Sequence, residues 1–130
     1  MARTVRAASA VYMVWSTIDR PGDFAAVAES YRAAADATGG LLFPVGNAWR
    51  EAMRLDPDVP LYLPDGLHPT VAGSYLAALV MYAQLYDRTP VGLPSSLRLR
   101  DGRSLLLPPE LAATLQQAAA SVTGTALRKR

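Results

Sequence analysis

Apolar residues recur along the chain first at strand spacing, then at helical spacing, and the alternation divides the chain into elements. Ala10 to Trp15 is a short apolar run containing Val11, Tyr12, Val14 and Trp15, residue types that predict a buried strand. Asp19, Pro21, Gly22 and Asp23 form the polar turn after it. A helix is expected next, capped by Asp23, with Phe24, Val27, Ala28, Tyr31 and Ala35 on one face. Gly39-Gly40 ends it, since glycine accepts the left-handed conformation that terminates helices. Leu41-Leu42-Phe43, cut by Pro44, predicts a second strand. Asn47 to Leu55 predicts a second helix with Trp49, Ala52 and Met53 inward, stopped at Asp56-Pro57.

Pro69 or Thr70 opens a third helix to about Tyr86, with Val71, Tyr75, Leu79, Tyr82, Ala83 and Tyr86 on its stripe and Arg88-Thr89-Pro90 closing it. "LRLRDGRSLLL" reads as a hairpin about Asp101-Gly102, and Pro108-Pro109-Glu110 starts an alanine-rich final helix. Strand, helix, strand, helix with short connections is the pattern of an α/β fold, parallel strands covered by helices. Two short strands and a hairpin are few for so much helical surface, so an apolar sheet edge is expected to stand open. The chain has no internal repeat and no low-complexity linker.

Composition narrows the classes. A chain of 130 residues that is 51% apolar is sized for a folded unit with a packed core. The net charge of +2 comes largely from Arg128-Lys129-Arg130, which read as a solvated end, and the remaining charges are scattered in sign, so no nucleic-acid partner is expected. With no cysteine and one histidine, thiol chemistry is excluded and neither a metal site nor a cofactor is expected. Two early arginines before an apolar run superficially resemble a secretory signal. That run is short and strand-forming, and no cleavage site follows, so the chain reads as unexported and cytoplasmic. No stretch approaches the ~20 apolar residues of a membrane span.

The lone imidazole carries the candidate chemistry. A histidine becomes an effective general base when a carboxylate holds one ring nitrogen, fixing the tautomer and steadying the charge formed on proton transfer. In Asp65-Gly66-Leu67-His68 the two groups are three residues apart in a turn that Gly66 can shape, with Pro69 anchoring it to a helix. The carboxyl group is expected to be buried. Spacing alone leaves a second reading open, an exposed turn whose aspartate caps the following helix.

The stretch "LPDGLHPTVAGSYLAALVMY" resembles the C-terminal catalytic block of the SGNH (GDSL-type) hydrolases, where an Asp-x-x-His pair and a proline lead into the last large helix. "YMVWS", "LLFPVGNAW" and "DRTPVGLP" resemble flanking segments of that family. The resemblance runs through Gly92. It implies residues 1–92 as the C-terminal half of a three-layer, flavodoxin-like domain and 93–130 as a hairpin and helix extension of the same domain. It also implies His68 as general base, Asp65 as its orienting acid, and an acyl ester or acylated carbohydrate as substrate.

The departures are as informative. The family's Gly-Asp-Ser nucleophile block does not occur; Gly22-Asp23 is followed by Phe24, and Gly46-Asn47 lacks the spacing of the family's oxyanion-hole asparagine. Ser16, just past the first strand, has no nucleophile turn or glycine-rich neighbour and reads as a turn residue. Trp15 and Trp49 read as core, and Ser74 as packing or helix surface. The chain therefore resembles the second half of a hydrolase, expected to be inactive by itself, with a homo-oligomer or a complementing chain as partner. The alternative is a binding or assembly module built on the same scaffold.

Overall fold

A computed structural model describes residues 7–126; Arg128-Lys129-Arg130 lie outside the described residues. The fold is a mixed α/β arrangement. Strand β1 (Ala10–Tyr12) is followed by a short 3-10 turn and helix α1 (Phe24–Thr38), then β2 (Leu41–Phe43) and α2 (Val45–Leu55). After the loop carrying Asp65 and His68 come α3 (Val71–Tyr86), β3 (Ser96–Arg98), β4 (Ser104–Leu106) and α4 (Pro109–Thr123). β1 and β2 pair in parallel, Val11 opposite Leu42, while β3 and β4 form a separate antiparallel hairpin, Leu97 opposite Leu105. The expected β-α-β-α order is present. The hairpin does not extend the parallel sheet.

The first strand is shorter than the apolar run that encodes it. Met13 still donates its N–H to the Phe43 carbonyl at 3.0 Å, but its own carbonyl turns to the N–H of Gly46, 3.1 Å away in the first turn of α2. The ladder ends there because Val45, whose N–H is next in line for the Met13 carbonyl, already belongs to the helix. α2 starts at Val45, two residues earlier than the pattern predicts. Gly46 is required at this junction, since a β-carbon would collide with the carbonyl oxygen of Val14.

α1 buries Phe24, Ala28 and Ala35 on the predicted face and closes on Gly39, whose φ of 61° is left-handed. Asp23 does not cap it. Its own backbone is already helical, and its carboxylate pairs with Arg20 at 2.7 Å instead. α3 departs from a single stripe. Ala72, Gly73, Tyr75, Leu76, Ala77, Leu79, Val80 and Ala83 are buried, which surrounds most of the helix, while Val71 and Tyr86 at its two ends face outward. α4 packs against both α2 and α3, placing Ala112, Leu115, Ala118 and Ala119 in one core with Trp49, Leu61 and Leu76. A buried Gln116 ties that core to the loop between α3 and β3, donating to the Leu93 carbonyl and the Tyr75 hydroxyl and accepting from Gly92 N–H. Among the described residues no helix is long and apolar enough to cross a membrane.

Candidate functional site

Asp65 and His68 meet at the tip of a narrow loop between α2 and α3. The loop closes on itself, with Thr70 N–H donating to the Leu61 carbonyl at 2.9 Å and Leu63 N–H to the His68 carbonyl at 2.8 Å. Gly66 makes the bend with a φ of 68°, a conformation that costs other residues a steric penalty. Thr70 then launches α3: its hydroxyl donates to the Pro60 carbonyl at 2.6 Å and accepts from Gly73 N–H at 3.1 Å, capping the helix.

Within the tip, the two oxygens of Asp65 have separate tasks. Oδ1 accepts the backbone N–H groups of Leu67 and His68, both at 3.0 Å. Oδ2 lies 2.6 Å from His68 Nδ1. The N–H of Leu67, the imidazole and the N–H of His68 together hold the Asp65 carboxyl down to about 2, so it is ionised at neutral pH. A carboxylate can only accept, so in the neutral ring Nδ1 carries the proton and Nε2 keeps the lone pair. Nε2 has no hydrogen-bond partner among the described residues.

The pair is open to solvent, against the expectation of a buried carboxyl. Side-chain exposure is 67% for His68 and 49% for Asp65. Leu63, Asp65, Leu67 and His68 all stand exposed around the bend, while the loop enters the core through Leu61. The apolar cleft of about 190 Å³ lined by Tyr75, Leu79, Tyr82, Leu93 and Leu97 is made by the other face of α3 and the segment after it, and includes neither residue.

The support for the tip comes from residues distant in sequence. Trp15, just after β1, donates its indole N–H to the Leu67 carbonyl at 2.9 Å, and Ile18 N–H donates to the Gly66 carbonyl at 2.9 Å. Tyr62 reaches back, its hydroxyl donating to the Ser16 carbonyl at 2.6 Å, and burial raises it to about 12, so it stays protonated. Beneath them Trp15 stacks on Trp49 with ring centroids 3.8 Å apart, and Trp49 meets Tyr62 edge-on at 4.7 Å. Trp49 is core, as its pattern predicts, but Trp15 also positions the site, as does Tyr62, which no pattern in the sequence marks. Only the apolar environment of Trp15 is readable from sequence; its contact spans 52 residues.

Ser16 is brought against the site loop, yet its hydroxyl is committed elsewhere, donating to the Arg20 carbonyl at 2.6 Å in a buried turn. Ser74 is exposed on α3. Among the described residues no three histidine, cysteine, aspartate or glutamate side chains gather as metal ligands. Compared with known proteins, the chain matches no family model, no curated protein and no solved structure.

Proposed function

We propose that this chain carries the base half of a serine ester hydrolase site of the SGNH (GDSL) type, with His68 as general base and Asp65 as its orienting acid. The observation that carries the reading is the 2.6 Å contact between Asp65 Oδ2 and His68 Nδ1, with Nε2 left unengaged. In the reaction Nε2 takes the proton of a serine hydroxyl as that oxygen attacks the acyl carbonyl, then returns it to the departing alcohol. Asp65 offsets the positive charge that the ring holds between those two transfers. The serine comes from outside these 130 residues, because Ser16 is tied to Arg20 and no Gly-Asp-Ser occurs. The substrate class is an acyl ester or an acylated carbohydrate.

The parallel β1-α1-β2-α2 order supports a larger flavodoxin-like, three-layer arrangement as the parent architecture. The site loop is held by Trp15 and Ile18 from the segment that follows the C-terminal end of β1, the side of open parallel sheets where ligands collect. A second reading, a non-catalytic binding or assembly module, draws on the exposure of the pair, since serine hydrolase chemistry works best where water is excluded. Hydrolysis of p-nitrophenyl acetate by the purified chain, by His68→Ala and by Asp65→Ala separates the two. A slow imidazole-dependent rate that disappears in His68→Ala and falls in Asp65→Ala supports the base half. Equal rates in all three proteins favour the module.

A further inference from the structure

The outer edge of β1 is chemically complete for pairing and nothing in its sequence guards it. The Ser9 carbonyl and the Met13 N–H face β2, accepting from Leu41 N–H and donating to the Phe43 carbonyl. Strand alternation therefore turns the N–H and C=O of Ala10 and Tyr12 to the opposite edge, where they have no partner among the described residues. Proteins that keep such an edge solitary blunt it with lysine, proline or a bulge. From Ala7 to Ile18 the sequence AASAVYMVWSTI has no charged residue and no proline. Val14 and Ile18, at the end of the same segment, are exposed apolar side chains, Ile18 at 61%. A two-stranded sheet is also marginal without further strands.

We propose that the β1 edge pairs antiparallel with the same edge of a second copy of this chain, across a two-fold axis through Val11. In that register Ala10 faces Tyr12 of the second copy and Tyr12 faces its Ala10, each pair exchanging both backbone bonds, so the edge is complementary to itself. The absence of charge lets two identical edges meet there without repulsion. Pairing joins the two small sheets into one and covers Val14. The inference does not depend on the hydrolase reading.

Sedimentation velocity on the full chain, from about 1 to about 100 µM, tests it. Wild type is expected to shift to twice the monomer mass within that range. Ala10→Pro removes one outward donor and no bond to β2, and Ala10→Lys places a guarding charge on the edge; both are expected to lose the dimer. Far-UV circular dichroism reports whether each variant folds, and if Ala10→Pro does not, Ala10→Lys decides. A wild type that stays monomeric at about 100 µM overturns the proposal, as does a dimer that survives in a folded Ala10→Lys.

Discussion

The chain contains the same local device twice, in the Asp65 turn and in the Asp101 turn of the β3-β4 hairpin. In each, an aspartate accepts a backbone N–H two residues on, at 3.0 Å, through Oδ1 and turns Oδ2 to a basic side chain, His68 at 2.6 Å or Arg103 Nε at 2.7 Å. In each the next residue is a glycine with positive φ, 68° and 85°. The difference is what lies behind them. Gly66 is buried, its carbonyl taken by Ile18 and its neighbour's by Trp15, whereas a β-carbon at Gly102 would meet nothing within 4 Å. A short acid-base turn is therefore common currency on a surface. Anchoring to a rigid aromatic platform is what distinguishes one that holds an imidazole in a fixed direction.

That contrast can be broken from below. Trp49→Ala empties the platform under the Asp65 turn and is expected to cost about 3–5 kcal/mol in denaturant unfolding, while Arg103→Ala leaves the unfolding midpoint in place. Gly73→Ala drives a methyl to 2.7 Å from both the Leu61 carbonyl oxygen and Trp49 Cζ2, and the expected loss is about 2–3 kcal/mol by the same measurement. Substituting the two turn glycines sharpens the comparison. Gly102→Ala carries only the left-handed penalty of about 1–2 kcal/mol. Gly66→Ala is expected to exceed it, because its methyl also lands 2.5 Å from Ile18 Cγ2. Trp15→Phe keeps the stacked ring and deletes one hydrogen bond, so a loss of about 1 kcal/mol and faster amide exchange at Leu67 and His68 are expected.

The smallest effect is in acid. The Asp65 carboxyl is depressed to about 2 in the folded chain against about 3.9 in an unfolded one, so its contribution is complete above the unfolded value. It is lost as pH falls from there through about 2. Carbon-13 NMR of the Asp65 side chain in the folded protein is expected to titrate near that value, and an ordinary carboxylate midpoint would contradict the hydrogen bonds described.

What was legible in the sequence was local. The Asp65-His68 contact, the Gly39 stop, the hairpin about Asp101-Gly102 and the Pro109 helix start each depend on a few consecutive residues, and each occurs as the pattern predicts. Misreadings arose where a distant element decides. Met13 to Trp15 leave the strand because α2 takes the Met13 carbonyl, and Val71 faces outward because the His68 turn leaves the first residue of α3 beyond the core. Asp23, a plausible cap by composition, is drawn away by Arg20. The expected burial of Asp65 failed because spacing specifies contact between neighbours and not depth beneath the surface.

One missing side chain sets the stance of the whole loop. At Gly73 the backbone of α3 rests against the indole of Trp49 and the peptide of Leu61 with only a hydrogen between them. That residue works as a shim of zero thickness: any larger group there must displace the Trp49 ring or the Leu61 peptide on which the start of the helix is seated.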